Sequence, residues 1–301
     1  MHSDKKRIGC GFFQFSGIFL ILPILLNIYY YGFENDFILS LIYIFLFIVL
    51  GYLDDLVDLK VFTKLLGLII ISTIYILNTD IILNLKLDHF YSFQLGKFYG
   101  FIFTLACVLL LINATNYIDG IDGLLLTISI AFCIFFLILL SNYYLFFLIT
   151  FITTFFIFLL LNLKIFKIIP KMLLGDCGSI SIGFIFCFIL IFFTQNEKFL
   201  HESVVIWSIA FIVYEFLSIN IIRLINNKNI FKKDLNFIFN LLNKKYDLIN
   251  TLIICNLINI FFLSIGLFIY LTKFYLISYF LFIIFFFTYL LLRLKQHSLY
   301  A

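Results

Sequence analysis

The chain has 301 residues, of which 64% are hydrophobic and 12% charged, and its mean hydropathy is +1.19. Soluble domains are closer to half apolar, so this composition excludes an ordinary soluble protein and indicates an integral membrane protein. The formal net charge of +4 is small, and we interpret it as a feature of membrane topology, with no role in nucleic-acid binding.

Long apolar stretches recur along the whole chain. Lipid offers no hydrogen-bond partners, and stretches of about 20 apolar residues lack the alternation of barrel strands, so the spans should be helical. Ten spans are predicted, at 11–31, 37–53, 61–77, 98–113, 124–140, 143–161, 179–194, 203–222, 249–271 and 274–292. We therefore expect an all-α polytopic protein with one membrane-embedded domain over residues 1–301.

The distribution of basic residues orients these spans. If the N-terminus is cytoplasmic, 16 of the 20 Lys and Arg residues lie on the cytoplasmic side. The exceptions are Lys86, Lys97, Lys198 and Lys273. We therefore expect both termini to face the cytoplasm from the cell inner membrane. The loops predicted at this face lie near 54–64, 113–124, 162–179 and 223–247.

The first polar cluster follows the second span and contains Asp54, Asp55 and Asp58. On a continued helix the three carboxylates would crowd one side, where they repel each other unless a cation lies among them. A magnesium–diphosphate unit would relieve this repulsion, and Lys64 is near enough to contact a phosphate. Taken alone, the segment also fits a loop with three solvated acids.

The most distinctive stretch is the polar segment from Asn113 to Leu124, between two apolar runs. Continued as a helix, it would carry on one face, or directly beside it, Asn113, Asn116, Asp119, Gly120, Asp122 and Gly123. A charge at the centre of a membrane helix costs about 2.5–3.5 kcal/mol, so acids at such a helix end indicate function. The alternative is a polar helix end that simply faces water.

A third cluster opens the seventh span, where Lys171 precedes the segment Leu174 to Ser179. Its two glycines allow a tight turn, and free N–H groups at a helix N-terminus predict an anion site. Asp176 fits such a site if the anion arrives with a divalent cation. The alternative is that Ser179 merely caps the span.

Two further features concern the eighth span and the loop after it. Glu215 is the one acid well inside a predicted span, and it could pair with Arg223 or face the bundle interior as a supporting residue. The loop from Arg223 to Asp247 is strongly basic and contains Asp234.

The combined chemistry of these clusters favours magnesium. Carboxylate and amide oxygens are hard ligands that suit Mg²⁺, with Mn²⁺ as a substitute, whereas no set of His and Cys residues indicates zinc. A magnesium site beside lysines at the lipid–water boundary suits phosphoryl transfer between a soluble diphosphate and a lipid-borne acceptor.

The motifs Asp-Asp-x-x-Asp, Asn-x-x-Asn-x-x-Asp-Gly-x-Asp-Gly-Leu and Gly-Asp-x-Gly-Ser occur in this order on a ten-span protein. In this respect the chain closely resembles the polyprenyl-phosphate N-acetylhexosamine-1-phosphate transferases. The resemblance implies a magnesium-dependent reaction in which undecaprenyl phosphate attacks the β-phosphate of a UDP-N-acetylhexosamine and releases UMP. It also implies a role in synthesis of a cell-envelope glycan such as an O-antigen or a capsule, and it leaves a homodimer open.

The resemblance also implies roles for individual residues. The catalytic residues would be Asp54, Asp55, Asp119 and Asp122, of which the first two would activate or orient the lipid phosphate. The metal ligands would be Asn116 and Asp176. The substrate contacts would be Asp58, Lys64, Asn113, Asn162, Lys171, Gly178, Ser179, Arg223 and Asp234.

The chain departs from the family pattern in three places. The family usually has one more span upstream, and it typically has a lysine where this chain has Phe62. After Asp234 it generally has a His-x-His-His cluster, whereas residues 236–240 here read Asn-Phe-Ile-Phe-Asn. Loss of these imidazoles predicts either altered sugar preference or a relative that binds substrate without transfer.

Two further classes are less favoured. An ion-coupled transporter could use Asp119, Asp122 and Glu215, but it predicts acids near mid-membrane, whereas these acids cluster at the predicted inner edge. CDP-alcohol phosphotransferases also carry Asp-Gly motifs, but the Ala-Arg pair that their pattern needs is absent at Ile121 and Asp122. Within the transferases, nothing here favours the large peptide-bearing donor of peptidoglycan synthesis.

Overall fold

The structure is a computed structural model that describes residues 16–32, 36–79, 81–88, 91–140, 142–165, 171–196, 199–228 and 236–300. These residues form a bundle of apolar helices with one short two-stranded hairpin. Seven of the described helices are long and apolar enough to cross a membrane. The predicted all-α polytopic membrane fold is therefore confirmed, while its orientation in the bilayer stays a prediction.

Within the described residues, each of the ten predicted spans coincides with helical structure, and residues 11–15 of the first span lie outside them. The spans correspond to α1 (Ile21–Tyr31, after a 3₁₀ turn at Ser16–Leu20), α2 (Asp36–Val57), α3 (Val61–Asn78), α4 (Gly96–Ile118), α5 (Leu124–Leu139), α6 (Leu145–Asn162), α7 (Gly175–Ile191), α8 with α9 (Glu202–Val205 and Ala210–Ile225, joined by a 3₁₀ turn at Ile206–Ile209), α11 (Leu248–Thr272) and α12 (Tyr275–Tyr300). The short helix α10 (Ile238–Lys245) lies between α9 and α11 and was not predicted.

Helix α7 lies at the centre of the bundle. In its most apolar 18-residue window, 94% of the residues are buried inside the protein. Small residues let its neighbours approach closely, since a Cβ on Gly183 would lie 2.7 Å from Ile112 Cα in α4. A Cβ on Gly51 of α2 would similarly lie 2.5 Å from Cys177 Cα. The backbones of α2, α4 and α7 are therefore in near contact, which brings their polar ends together.

The opposite end of the bundle carries the hairpin of β1 (Asn84–Lys86) and β2 (Ser92–Gln94), where the sequence predicted only a loop. The strands pair antiparallel, with Leu85 opposite Phe93. The hydroxyl of Tyr279 in α12 donates to the Lys86 carbonyl oxygen at 2.9 Å. This bond ties the hairpin to the last helix, far along the chain.

Two predicted helical extensions are wrong. Helix α2 ends at Val57, and Asp58 lies beyond it with a positive φ of 53°, so Asp58 does not share a helix face with Asp54. Helix α4 ends at Ile118, and the chain turns through residues 119–123 before α5 begins. Asp119 leaves the helical conformation with a ψ of 47°, and Gly123, directly before α5, has a φ of 79°, which suits glycine.

Candidate functional site

Two carboxylates, one from α2 and one from α7, converge on the ammonium group of Lys64 near the start of α3. Lys64 Nζ lies 2.7 Å from Asp54 Oδ2 and 2.9 Å from Asp176 Oδ2. Asp54 is 6% exposed, so its charge is largely removed from water. Lys64 and Asp176, which are 112 positions apart in the sequence, therefore belong to one ionic cluster together with Asp54.

In each carboxylate of this cluster, the second oxygen, Oδ1, also accepts a hydrogen bond. The backbone N–H of Leu59 donates to Asp54 Oδ1 at 3.0 Å, which follows from the turn after α2. The Asn116 side-chain nitrogen donates to Asp176 Oδ1 at 2.6 Å and to Ser179 Oγ at 2.9 Å. The two Oδ2 atoms are thus left facing Lys64.

Asn116 contacts the other predicted metal ligand. Its amide nitrogen donates to the Asp176 carboxylate and so orients it, while a metal would need the amide oxygen. The role of Asn116 as a metal ligand stays a prediction. Ser179, predicted to contact substrate or to cap α7, is 1% exposed and accepts this amide instead.

Asp55 has partners different from those of Asp54. Its two carboxylate oxygens accept the backbone N–H groups of Asp176 and Cys177, both at 2.9 Å. The N-terminus of α7 was predicted to bind an anion, and here Asp55 of the same chain supplies that anion. The interpretation of these two N–H groups as a phosphate site is therefore wrong. The contacts of Asp55 are those of a helix cap, and its catalytic role stays a prediction.

A cavity of about 380 Å³ opens beside the ionic cluster. Its polar lining consists of Asp54, Asp58, Lys64, Asn113, Asn116, Tyr117, Asp176 and Asn220. Its apolar lining consists of Leu59, Val61, Leu65, Leu68, Leu109, Leu110 and Phe216. We call it the lysine cavity, because Lys64 lies at its charged end. It combines a charged end with an apolar wall from α3, α4 and α9.

A second cavity, of about 500 Å³, lies beside the turn at residues 119–123. We call it the turn cavity. Its lining consists of Asp119, Gly120, Ile121, Asp122, Asn162, Lys171, Leu173, Leu174, Gly175, Asn243 and Leu248. Lys171 and Asp122 form an ion pair within it. Among the predicted acids, Asp54, Asp58 and Asp176 line the lysine cavity and Asp119 and Asp122 line the turn cavity, whereas Asp55 lines neither. The two cavities adjoin at the start of α7, where Gly175 lines the turn cavity and Asp176 lines the lysine cavity.

Asn162 fixes the wall of the turn cavity. Its side-chain oxygen accepts the Gly123 N–H at 2.6 Å, and its side-chain nitrogen donates to the Met172 carbonyl oxygen at 2.8 Å. Asn162 was predicted to contact substrate. Since it is buried and both ends of its amide bond to backbone, its observed role is to join the turn to the segment before α7.

The remaining predicted substrate contacts have varied surroundings. Asn113 lines the lysine cavity, and its amide donates to the Leu109 carbonyl oxygen at 2.7 Å. Gly178 packs inside the protein, where a Cβ would lie 2.3 Å from Leu174 Cδ1, so it serves packing and does not line either cavity. Asp234 lies outside the described residues.

Arg223 lies between two aromatic rings. Its guanidinium carbon is 5.5 Å from the Tyr117 ring centroid and 5.6 Å from that of Phe237. It is 2% exposed, and Nη1 donates to Asn220 Oδ1 at 3.4 Å. Of the two alternatives for Glu215, pairing with Arg223 is wrong. Glu215 faces the bundle interior, as the second alternative predicted, and pairs with Arg293 there.

The segment that replaces the histidine cluster is packed into the protein. Phe237 and Phe239 stack with their ring centroids 5.3 Å apart, and both are buried. A Cβ on Gly120 would lie 2.3 Å from Phe239 Cε2. The Phe239 ring therefore packs directly against the turn at residues 119–123. A contact this close requires glycine at position 120.

The donor atoms of the ionic cluster fit a magnesium ion. Asp54 Oδ2 and Asp176 Oδ2 face one point, where the positive charge is now that of Lys64. Carboxylates are hard ligands, and Mg²⁺ usually needs only one or two of them, with water and substrate phosphates completing its shell. Within the described residues, no group of three or more His, Cys, Asp or Glu side chains that could hold a metal ion is found.

Sequence reasoning missed several contributors to these cavities. Asn220 lies one turn before Arg223 in α9, and an amide so close to the end of an apolar helix was the available signal. Asn243 belongs to the unpredicted helix α10. Tyr117 and Phe216 gave no usable signal, because aromatic residues are abundant throughout this chain.

Comparison with known proteins identifies the family. The sequence profile described as glycosyl transferase family 4 matches residues 37–194, which is just over half of the 301-residue chain. The match includes Asp54, Asn116 and Asp176, and it ends before Arg223. No curated protein matches the chain. The chain therefore belongs to glycosyl transferase family 4, the family of polyprenyl-phosphate sugar-1-phosphate transferases.

Proposed function

We propose that the protein transfers an N-acetylhexosamine-1-phosphate from a UDP-sugar to undecaprenyl phosphate and releases UMP. The observation that carries the proposal is the pairing of two cavities at the start of α7. The lysine cavity has a charged end and an apolar wall, and the turn cavity has a charged and amide-rich lining. A phosphate on a hydrocarbon chain fits the first, and a nucleotide sugar fits the second.

The lipid acceptor would bind with its phosphate beside Lys64 and its first isoprene units along Leu65 and Leu110. Burial of the chain against apolar side chains would hold it, since each buried methylene contributes about 0.8 kcal/mol. In the reaction, a lipid phosphate oxygen forms a bond to the β-phosphorus of the donor, and the bond from that phosphorus to the UMP oxygen breaks. The proposed site places this event near Asp176.

Asp54 and Asp176 would hold Mg²⁺, which when bound offsets the negative charge of the donor diphosphate. Asn116 orients Asp176 for this purpose. A phosphate monoester has a second pKa of about 6, so the acceptor is already largely dianionic at neutral pH. Asp54 would therefore contribute more by positioning than by removing a proton.

In the turn cavity, Lys171 and Asp122 would face the donor together with Asn243. Lys171 already pairs with Asp122, and the other N–H donors of its ammonium could contact a donor phosphate. The site would face the cytoplasm, where nucleotide sugars are available, and the product would enter synthesis of an envelope glycan.

A second candidate is a relative that binds these substrates without transfer. It is favoured by one observation: Phe237 and Phe239 fill the place of the family's histidine cluster and offer neither a positive charge nor a hydrogen-bond donor. The transporter alternative loses support, because the carboxylate of Glu215 is already paired with Arg293.

A panel of donors distinguishes these candidates. Purified protein in detergent would be mixed with Mg²⁺, undecaprenyl phosphate and one UDP-N-acetylhexosamine at a time, and UMP release would be measured. The transferase proposal predicts release with at least one donor, and only when the lipid phosphate is present. Binding of lipid phosphate without UMP release from any donor would favour the non-catalytic relative.

A further inference from the structure

Lys64 occupies the point at which two carboxylates from other helices face each other. It belongs to α3, whereas Asp54 belongs to α2 and Asp176 to α7, and both Oδ2 atoms lie within 3 Å of its ammonium nitrogen. The opposite oxygen of each carboxylate is bonded to Leu59 N–H or to the Asn116 amide. The pair of carboxylates is therefore fixed by groups other than Lys64.

The charges of the lysine cavity are not balanced by this lysine. Its lining contains three carboxylates, those of Asp54, Asp58 and Asp176, against the single ammonium of Lys64, which leaves a formal charge of −2. Without Lys64, the two carboxylates that share its ammonium would repel each other in a partly buried site. A cation at this point therefore stabilises the ionised pair.

We propose that Lys64 is a displaceable counterion, which holds the metal position in the metal-free protein and leaves it when a divalent cation binds. The inference rests on the proposed function for the identity of the cation. Because the carboxylates keep their bonds to Leu59 and Asn116, they remain in place during the exchange. The released ammonium is then free to contact an anionic phosphate in the same cavity.

The side chain of Lys64 is suited to this exchange. Its ammonium is a compact charge on a flexible four-carbon stem, and it is 19% exposed, so it can swing toward water without unfolding α3. Divalent cation and phosphate would enter together, since the cation displaces the lysine and the lysine then stabilises the phosphate. Lys64 thus couples the two binding events in the lysine cavity.

The test measures metal binding directly, without donor or acceptor. Mn²⁺ affinity of the detergent-purified protein would be measured by electron paramagnetic resonance for wild type, Lys64→Met and Lys60→Met. Lys60 is the matched control, because its exposed side chain lies one turn earlier and it lines neither cavity. We expect Lys64→Met to bind Mn²⁺ about tenfold more tightly than wild type, because no lysine competes for the site, and Lys60→Met to bind it as wild type does.

A second measurement follows thermal unfolding. Without divalent cations, Lys64→Met should unfold at a lower temperature than wild type, and saturating Mg²⁺ should remove this difference. If Lys64→Met does not fold without metal, purification in Mg²⁺ followed by its removal, together with Lys64→Gln, provides the same comparison. Unchanged or weaker Mn²⁺ affinity in both variants would overturn the proposal.

The outcome is separate from that of the transferase assay. Tighter Mn²⁺ binding by Lys64→Met in a protein that releases no UMP would support the counterion and contradict the transferase. UMP release by wild type, with Mn²⁺ affinity unchanged in Lys64→Met, would contradict the counterion alone.

Discussion

Glu215 and Arg293 form a buried ion pair, with Arg293 Nε 3.1 Å from Glu215 Oε2 and Nη2 3.1 Å from Oε1. The hydroxyl of Tyr289 and the backbone N–H of Ile238 also donate to the same carboxylate. Arg293 further donates to the Asn236 carbonyl oxygen. The pair therefore fixes the start of α10, and through Phe239 it supports the turn at residues 119–123.

Breaking this ion pair should strongly destabilise the protein. Arg293→Met leaves the Glu215 carboxylate buried without its cation, and we expect a loss of about 3–5 kcal/mol in the free energy of unfolding. Denaturant unfolding in detergent, followed by circular dichroism, would measure it. The double variant Glu215→Gln with Arg293→Met should lose less than Arg293→Met alone, since no charge is left unpaired. Equal losses would contradict this explanation.

The contact between Gly120 and Phe239 should be sensitive to a single methyl group. Gly120→Ala places a Cβ against the rigid Phe239 ring, and we expect overpacking to cost about 1–3 kcal/mol and to reduce UMP release. Adding Phe239→Leu should recover part of both losses, because the smaller side chain leaves room. No recovery in the double variant would show that the effect of Gly120→Ala does not arise from this contact.

Asp54 and Asp55 should differ although they are adjacent. Asp55→Ala removes the cap of α7 and should cost about 1–2 kcal/mol of stability. Asp54→Asn should leave folding nearly intact and lower UMP release, because Asp54 faces the ionic cluster. Thermal unfolding and UMP release, measured on both variants, would check this. A stable but inactive Asp55→Ala protein would instead support the sequence-based prediction of a catalytic Asp55.

Introducing the family's histidines should have different effects on stability at positions 239 and 240. Phe239 is fully buried against Gly120, so Phe239→His buries a polar ring in an apolar contact. We expect the free energy of unfolding to fall by about 1–3 kcal/mol. Asn240 is only partly buried, so Asn240→His should be tolerated. Thermal midpoints of the two variants would test the difference. A more stable and faster Phe239→His protein would refute it.

The sequence predicted the helical spans well, because apolar length is a local property and lipid permits few alternatives. The proximity of Asp54 and Asp176 followed from motif order, although its geometry did not. Helix ends were less predictable: α4 ends at Ile118 and α5 begins after Gly123, and the break between them depends on the backbone conformations of Asp119 and Gly123. The bond of Asp55 to the start of α7 depends on how closely α2 and α7 pack, which no local pattern encodes.

The roles of the amides were also not predictable from residue type. Asn116 was predicted as a metal ligand and Asn162 as a substrate contact, and the sequence did not show that each amide also orients another part of the site. The replacement of histidines by Phe237 and Phe239 was evident from the sequence, but the packing of Phe239 against Gly120 depends on tertiary structure.

The central claim is that Asp176 serves a magnesium-dependent transfer at the meeting point of the two cavities. UMP release by wild type and Asp176→Asn, measured with Mg²⁺, undecaprenyl phosphate and the preferred donor, tests it most directly, with Asp247→Asn as an exposed control. We predict that EDTA abolishes release by wild type, that Asp176→Asn lowers it at least about 100-fold, and that Asp247→Asn leaves it unchanged. Release by Asp176→Asn at the wild-type rate would contradict the claim.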